Sequence, residues 1–396
     1  MKNILLVTSM YPCDNIRILN NTSVCHYFAK EWREMGFNVR VIFCYHCYPD
    51  YFYPLLRIMA KTLANKSGVG VMTKNSKEIY NYELDGIKVS RIPIRKNRPG
   101  GSFPTKEIKR VTDEITETIR REGYVPDVIL GHFLHPAIDL ISRLKQHYPN
   151  ALTAVSLHGK ETAFEENTSE LLKSIDYIGY RSFPIKDVFE SFYGPHKYFM
   201  CPSGVPENYI IQHPRKFEKP AKNFIYVGSF MKRKYPSTLV PAIAHSYGDA
   251  DFLITYVGDG NGKSLITKEA KKANCVNKVF FTGRLNRDDV KTQLDQADVF
   301  IMISRLETFG LVYLEAMARG CIVIASKDEG MEGIIQHGVN GFLCKAGDVG
   351  ELSSIIDFIK NLSPKELSSI SEAGRQTAIS MTDKIVAKKY IESLKY

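Results

Sequence analysis

No run of about 18 apolar residues occurs in the 396-residue sequence, so no membrane-spanning helix is expected. A secretory leader pattern is missing as well. The apolar run in Met1-Lys2-Asn3-Ile4-Leu5-Leu6-Val7 is short, no small-residue cleavage site follows it, and it is read as a first strand. The eight cysteines form no framework. Cys44-Tyr45-His46-Cys47 is a lone C-x-x-C without a second pair, which argues for buried free thiols in a reducing compartment rather than a metal or redox centre. In such a compartment the N-x-[S/T] triplets Asn20-Asn21-Thr22 and Asn361-Leu362-Ser363 carry no meaning. Zinc-finger, homeodomain and RNA-recognition signatures are absent, so no nucleic-acid partner is expected. Acidic residues are in deficit, 43 against 53 basic, for a formal net charge of +10. The anionic partners expected instead are nucleotide diphosphates and an anionic membrane surface. The expected location is the cytoplasm, with peripheral attachment at the inner face of the membrane as an extension of that reading.

The chain is long for one core, and two domains are the natural expectation. With 44% hydrophobic and 24% charged residues, the composition is that of a globular protein. The stretch around which the rest is organised runs from Ser304 to Gly320, preceded by the run Asp298–Ile303. Asp298-Val299-Phe300-Ile301-Met302-Ile303 reads as a buried parallel strand. Leu311, Leu314, Met317 and Ala318 then form an apolar face at helical spacing, stopped by Gly320. The turn Glu307-Thr308-Phe309-Gly310 therefore joins a strand's carboxyl end to a helix's amino end. Unpaired N–H groups and the positive end of the helix make such a junction an anion site. Gly310 lets a phosphate approach the backbone, and Glu307 and Glu315 are placed to accept hydrogen bonds from sugar hydroxyls.

The string E-x(7)-E from Glu307 to Glu315, with F-G-L-V inside it and A-M-A-x-G after it, resembles the donor-site motif of retaining nucleotide-sugar glycosyltransferases of family four. Gly338-Val339-Asn340-Gly341-Phe342-Leu343 resembles that family's G-x-N-G-x-L hairpin. The resemblance implies an α/β protein of the GT-B fold, with two doubly wound Rossmann-like domains facing a central cleft. Residues 1–212 would form the acceptor-side domain, with the basic helical tail 377–396 packing back on it. Residues 220–376 would form the nucleotide-sugar domain, and the polar stretch His213–Lys222, with Pro214 and Pro220, reads as the linker.

Several further positions follow from the resemblance. The loop Asn20-Asn21-Thr22 sits in the first βαβ unit, where the family faces donor phosphates, and Thr22 stands where a glycine is usual. Leu152–Leu157 reads as a strand ending in His158-Gly159-Lys160-Glu161, and the resemblance places His158 near the donor sugar and its phosphate. His132 and His135 are weaker candidates, for the acceptor. Gly228 and Ser229 fill the family's phosphate loop. Ser229 replaces an expected arginine, and Lys234 keeps the expected lysine. Arg233 or Lys232 is the candidate to supply the missing charge. Gly258 belongs to a V-G-x-G turn, and Arg284 and Leu285 fall where relatives contact the base. Beyond Ser326 the sequence departs from the usual G-G-x-P-E, reading Glu329-Gly330-Met331-Glu332-Gly333, and no site is assigned there.

The expected reaction moves a sugar from a nucleoside diphosphate to a hydroxyl of a glycan or lipid-linked acceptor, with retention and in surface polysaccharide assembly. No metal and no cofactor are expected: Lys234 and the amides from Thr308 through Phe309, Gly310 and Leu311 to Val312 would neutralise the diphosphate. His158, Glu307 and Lys234 would be catalytic, and Glu315 would bind the ribose. No side chain is placed as a covalent nucleophile, so a front-face path is expected. Two other classes share the motifs: a nucleotide-sugar epimerase, and a non-catalytic sugar-nucleotide-binding partner protein. Between Arg57 and Arg98 basic residues (among them Lys61, Lys66, Lys74, Lys77, Lys88 and Arg91) outnumber acidic ones. That region reads either as a membrane-surface patch or as a solvated insertion with its aromatics packed inward.

Overall fold

The computed structural model describes residues 2–16, 18–19, 21–67, 71–159 and 167–395. Asn20, Lys160 and Glu161 lie outside the described residues, as do the side chains of Lys61 and Lys66. The chain forms two compact units. One comprises Met1–Arg181, Ile185–Pro202 and Val386–Tyr396; the other comprises Ser182–Pro184 and Ser203–Ile385.

The first unit is built on β1 (Asn3–Thr8), β2 (Ile18–Leu19), β3 (Asn38–Cys47), β4 (Val71–Met72), β5 (Tyr80–Leu84), β6 (Ile87–Arg95), β7 (Val128–His132), β8 (Leu152–Leu157), β9 (Tyr177–Tyr180) and β10 (Tyr198–Met200). Eight of these make one sheet in the order β10-β9-β8-β7-β1-β3-β6-β5, while β2 and β4 pair separately. All pairings in the large sheet are parallel except β5 with β6. Strands covered on both faces need continuous apolar runs. Ile4, Leu5, Leu6 and Val7 of β1 are accordingly all fully buried. After β1 the chain builds outward to β3 and then returns to lay β7 on its other side. The switch point of the sheet, where such folds bind ligands, thus falls at the carboxyl ends of β1 and β7. The last helix, Asp383–Ser393, joins this unit from Val386 onward. There the single tryptophan, Trp32, donates its indole N–H to the Ala387 carbonyl at 3.0 Å, and the Tyr390 ring meets Trp32 and Phe28 edge-on.

The second unit carries β11 (Asn223–Val227), β12 (Leu253–Val257), β13 (Val279–Gly283), β14 (Val299–Ile301), β15 (Ile322–Ser326) and β16 (Phe342–Cys344), in the order β13-β12-β11-β14-β15-β16 and parallel throughout. Its switch point lies between β11 and β14. Two largely parallel α/β sheets with helical crossovers are the two Rossmann-like domains of the GT-B fold.

Several expectations are corrected. The stretch His213–Lys222 is not a free linker but part of the second unit. Arg215 pairs with Asp298 at 2.8 Å, the Lys222 and Asn223 amides donate to the same carboxylate, and the Phe217 amide donates to Ser368 Oγ. Its polar residues are there to satisfy these partners, and the chain changes unit near Pro202 instead. Phe342–Cys344 does not return as a hairpin: β16 lies parallel to β15, and Asn340 ties the preceding turn to the Gln336 amide and the Ile334 carbonyl. The tail from Thr377 is not one helix. Pro364–Ile379 ends before a break at Thr382, whose backbone bridges to Val205. Within the basic 57–98 region, Arg91 is buried in β6, where its guanidinium reaches Ser76 Oγ and lies over the Tyr80 ring.

Candidate functional site

In the second unit the predicted donor residues collect at the carboxyl ends of β11, β12 and β14. The loop after β11 and the loop after β12 meet backbone to backbone: the Phe230 amide donates to the Asp259 carbonyl at 2.9 Å, and the Gly228 oxygen presses on Gly258. A Cβ at Gly258 would sit 2.0 Å from that oxygen, so only glycine permits the contact. Ser229 occupies this loop and offers no cation, and its carbonyl accepts the Tyr226 hydroxyl.

Lys234 ends the short turn Lys232–Lys234 and points its ammonium at Glu307, 3.2 Å from Oε2, with both side chains about 15% exposed. Glu307 also accepts from Ser304 Oγ at 3.3 Å. The loop that carries it is held from two sides. The Glu329 carboxylate accepts the Leu306 and Glu307 amides at 2.9 and 2.8 Å, while Arg233 donates to the Arg305 and Leu306 carbonyls at 3.2 and 3.3 Å. Leu306 is forced to a positive φ of 56° by this arrangement. Arg233 therefore serves the loop's backbone, and Lys232 remains the more exposed of the two candidates for the missing charge.

Thr308 and Phe309 lead into Gly310, the left-handed cap (φ 81°) of the helix Leu311–Ala318. Glycine has no side chain to cap the helix, which leaves the first-turn amides of Leu311 and Val312 for an external acceptor. One turn in, Glu315 is paired with Arg287, whose Nη2 donates to Oε1 at 2.8 Å. The Arg287 guanidinium lies over the Tyr209 ring, 5.0 Å from its centre. Asp383 shares this neighbourhood. Burial pushes its carboxyl up to about 6, with Arg287 opposing and Glu315 adding to the rise. Arg284 is exposed and Leu285 half-buried in the loop after β13.

His158 and Thr22 belong to the first unit, so the structure does not gather them with the residues above. Thr22 stands at the amino end of the helix Val24–Glu34, and its hydroxyl accepts the Val24 amide at 3.3 Å. His158, half-buried at the end of β8, stacks on Phe133 and meets His132 at the end of β7, Nε2 to Nδ1 at 2.7 Å. Burial pushes His132 down to about 3, with the Arg181 charge adding, and burial and the same arginine hold His158 well below its ordinary value. Both imidazoles are therefore neutral at neutral pH. His135 turns away to Asp139, 2.7 Å distant.

Cys25, His132 and His158 place their ligand atoms within 4.8 Å of one another, the arrangement among the described residues that most resembles a metal centre. The fit is poor. Two nitrogens on one tetrahedral zinc stand about 3.3 Å apart, whereas His132 and His158 are at direct hydrogen-bond distance. A dication would also face Arg181, and burial keeps the Cys25 thiol protonated, pushed up to about 12. A hydrogen bond between the two rings accounts for their separation.

Reading the sequence missed three of these residues. Glu329 is disguised by the departure from G-G-x-P-E. Arg287 and Tyr390, the latter 3.2 Å from His132, carry no motif of their own.

Comparison with known proteins agrees with the second unit's geometry. Residues 210–377 match the family model for glycosyl transferases group 1. N-acetyl-alpha-D-glucosaminyl L-malate synthase of Bacillus anthracis is 34% identical over 141 residues, 35% of this chain and 36% of that protein. The lipopolysaccharide core biosynthesis glycosyltransferase LpsE of Rhizobium meliloti is 32% identical over 133 residues, 34% of this chain and 38% of its own. The match thus spans little more than a third of the length of these relatives. Among solved structures, a glycosyltransferase from Rickettsia africae superposes with a TM-score of 0.70 at 18% identity, over 100% of this chain and 98% of that one. HepE of Anabaena, solved with UDP, superposes with a TM-score of 0.68 at 17% identity over the whole of both chains. The donor-type motif folded at the switch point thus lies within residues 210–377, the part of the chain that matches glycosyl transferases group 1.

Proposed function

We propose that this protein transfers a sugar from a nucleoside-diphosphate donor to a hydroxyl of a glycan or lipid-linked acceptor, with retention of anomeric configuration, in the assembly of a surface polysaccharide. The observation that carries the reading is the Lys234–Glu307 pair beside the uncapped amino end of the helix Leu311–Ala318. A departing nucleoside diphosphate gains negative charge, and a fixed ammonium with first-turn amides is suited to receive it. The amides of Thr308, Phe309, Gly310, Leu311 and Val312 take the diphosphate, Gly228 and Gly258 let it approach, and Lys232 stands in for the arginine absent at Ser229. Glu307 orients the donor sugar, Glu315 takes the ribose hydroxyls, and Arg284 and Leu285 border the base. Thr22 and His158, both in the first unit, are assigned to the phosphates and the sugar by the resemblance alone. With no carboxylate among the described residues set apart as a nucleophile, the acceptor oxygen bonds to the anomeric carbon on the face that the diphosphate leaves, and the leaving phosphate oxygen takes the acceptor's proton. The relatives' names support the class: one is a lipopolysaccharide core biosynthesis glycosyltransferase, and HepE was solved with UDP.

Catalysis without a metal belongs to this reading. Glu307 and Glu315 each already face a cation, which makes them poor ligands for magnesium. Incubating the protein with donor sugars and a panel of glycan and lipid-linked acceptors in EDTA, with the product anomer read by NMR, tests both points. Donor breakdown that needs no acceptor would favour an epimerase, and an inverted product would refute retention.

A second reading concerns the membrane. Tyr51, Leu55, Ile58 and Met59 at the start of the helix Tyr53–Ser67 are 72, 55, 81 and 40% exposed, beside the exposed cations Arg57, Lys74 and Lys77. Such a face suits insertion into an anionic interface that holds a lipid-linked acceptor. No helix among the described residues is long and apolar enough to cross a membrane. Co-sedimentation with vesicles that is indifferent to anionic lipid would refute this reading.

A further inference from the structure

Tyr390 comes from the last helix, yet its hydroxyl reaches the ends of two strands in the first unit. It lies 2.8 Å from Ser156 Oγ on β8 and 3.2 Å from His132 Nε2 on β7, and His132 Nδ1 lies 2.7 Å from His158 Nε2. Ser156, Tyr390 and His132 are completely buried, while His158 is half-buried at the end of this line. Rings enclose the line: Phe28 and Phe199 pack on Tyr390, and Phe133 stacks on His158 at 4.0 Å. Nothing in the proposed chemistry uses Tyr390 or His132 directly.

We propose that Tyr390 and His132 are positioning residues that fix the tautomer and plane of His158, so that its Nδ1 carries the proton. This rests on the reading that His158 serves the sugar end of the donor. The direction of the chain follows from donor and acceptor strength. A neutral imidazole has one N–H and one lone-pair nitrogen, so a single contact decides where the proton sits in the next ring. A phenol is a far better donor than a neutral imidazole N–H, and an imidazole nitrogen is a far better acceptor than a phenol oxygen. The Tyr390 hydroxyl therefore donates to His132 Nε2, which places the His132 proton on Nδ1. That N–H donates to His158 Nε2, which leaves the His158 proton on Nδ1. Ser156 completes the line by donating to the Tyr390 oxygen. The outcome is a histidine that offers a hydrogen-bond donor to an oxygen of the ligand without carrying a charge. A fixed donor suits a sugar hydroxyl or a phosphate oxygen, and a second residue that holds a functional histidine's tautomer is a recurring device.

The test is long-range ¹H–¹⁵N correlation NMR of the full-length protein labelled in histidine, with the spectra assigned by His132→Asn and His158→Asn. His158 is expected as the Nδ1–H tautomer, and the Nε2–H tautomer overturns the proposal, whether or not the protein transfers sugar. In Tyr390→Phe the His158 signal is expected to shift to a mixture of tautomers, and an unchanged signal overturns the proposal. Where transfer is measurable, Tyr390→Phe should lower kcat about tenfold with the donor KM within twofold. His132→Asn, which keeps an N–H donor near the Nδ1 position, should retain more activity than His132→Leu at equal thermal stability; equal losses in the two would mean that His132 only fills space. If Tyr390→Phe does not fold, the wild-type tautomer and the His132 pair decide the matter alone.

Discussion

Lys234 and Glu307 form an ion pair at the switch point of the second sheet, 3.2 Å apart and largely shielded from water, although they lie 73 positions apart in the chain. Neither is a surface residue of the kind whose pairing is worth little. Each side chain holds the other at the mouth of the helix Leu311–Ala318. Lys234→Ala should therefore lower kcat by about 10²–10³-fold, the size of effect seen when one preorganised charge is removed from a transition state. It should also cost about 1–3 kcal/mol of stability by leaving the carboxylate without its partner. Steady-state kinetics and thermal unfolding check both, and full turnover in Lys234→Ala would remove it from the mechanism.

Glu329 accepts two consecutive amides and so fixes the backbone of the loop that carries Glu307. A hydrogen bond to a charged group contributes about 1.5–3 kcal/mol. Glu329→Ala should speed hydrogen exchange at the Leu306 and Glu307 amides by at least about tenfold. Turnover and the melting temperature should both fall with it, the latter by several degrees. Glu329→Gln, which keeps an acceptor oxygen, should fall between the two.

Asp383 makes stability depend on pH in a defined direction. Its folded pKa is raised to about 6 from the ordinary 3.8, chiefly by burial. The folded state therefore holds a proton that the unfolded chain releases between these values. The resulting stabilisation is present below about pH 4 and is lost as pH rises through 6. Wild type should lose about 1–2 kcal/mol relative to Asp383→Asn over this interval, after allowance for partial solvent access. Thermal melts of the two proteins at pH 4, 5, 6 and 7 measure it, and parallel curves would contradict the assignment.

Chelation is a fourth test. If Lys234, Lys232 and the helix amides neutralise the diphosphate, EDTA should leave the transfer rate within about twofold and added magnesium should not raise it. A rate that collapses in EDTA and returns with magnesium would place a metal in the reaction.

The strand Leu152–Leu157 was readable to the residue, because its β-type side chains run up to the His158-Gly159 turn and leave little choice. The turn from Glu307 to Gly310 was readable because a fixed string of side chains marks it. The strand Ile87–Arg95 was not, since Arg91 and Pro93 break its apolar pattern. Its structure explains both: Arg91 finds Ser76 and the Tyr80 ring, and Pro93 lies beyond the last residue paired with β5, where no amide is needed. Glu329, Arg287 and Tyr390 were invisible for another reason. Each acquires its role only when distant chain segments meet, Tyr390 with His132 across 258 positions. A string of residues reports what is local, and these contacts are not.

The most direct test of the central claim is calorimetric titration of the intact protein with UDP, GDP and ADP in EDTA, repeated with Glu315→Ala. The donor-site assignment predicts that one nucleotide binds at one-to-one stoichiometry and that Glu315→Ala weakens it by at least about tenfold. Binding of none of the three, or equal binding by wild type and variant, would contradict it.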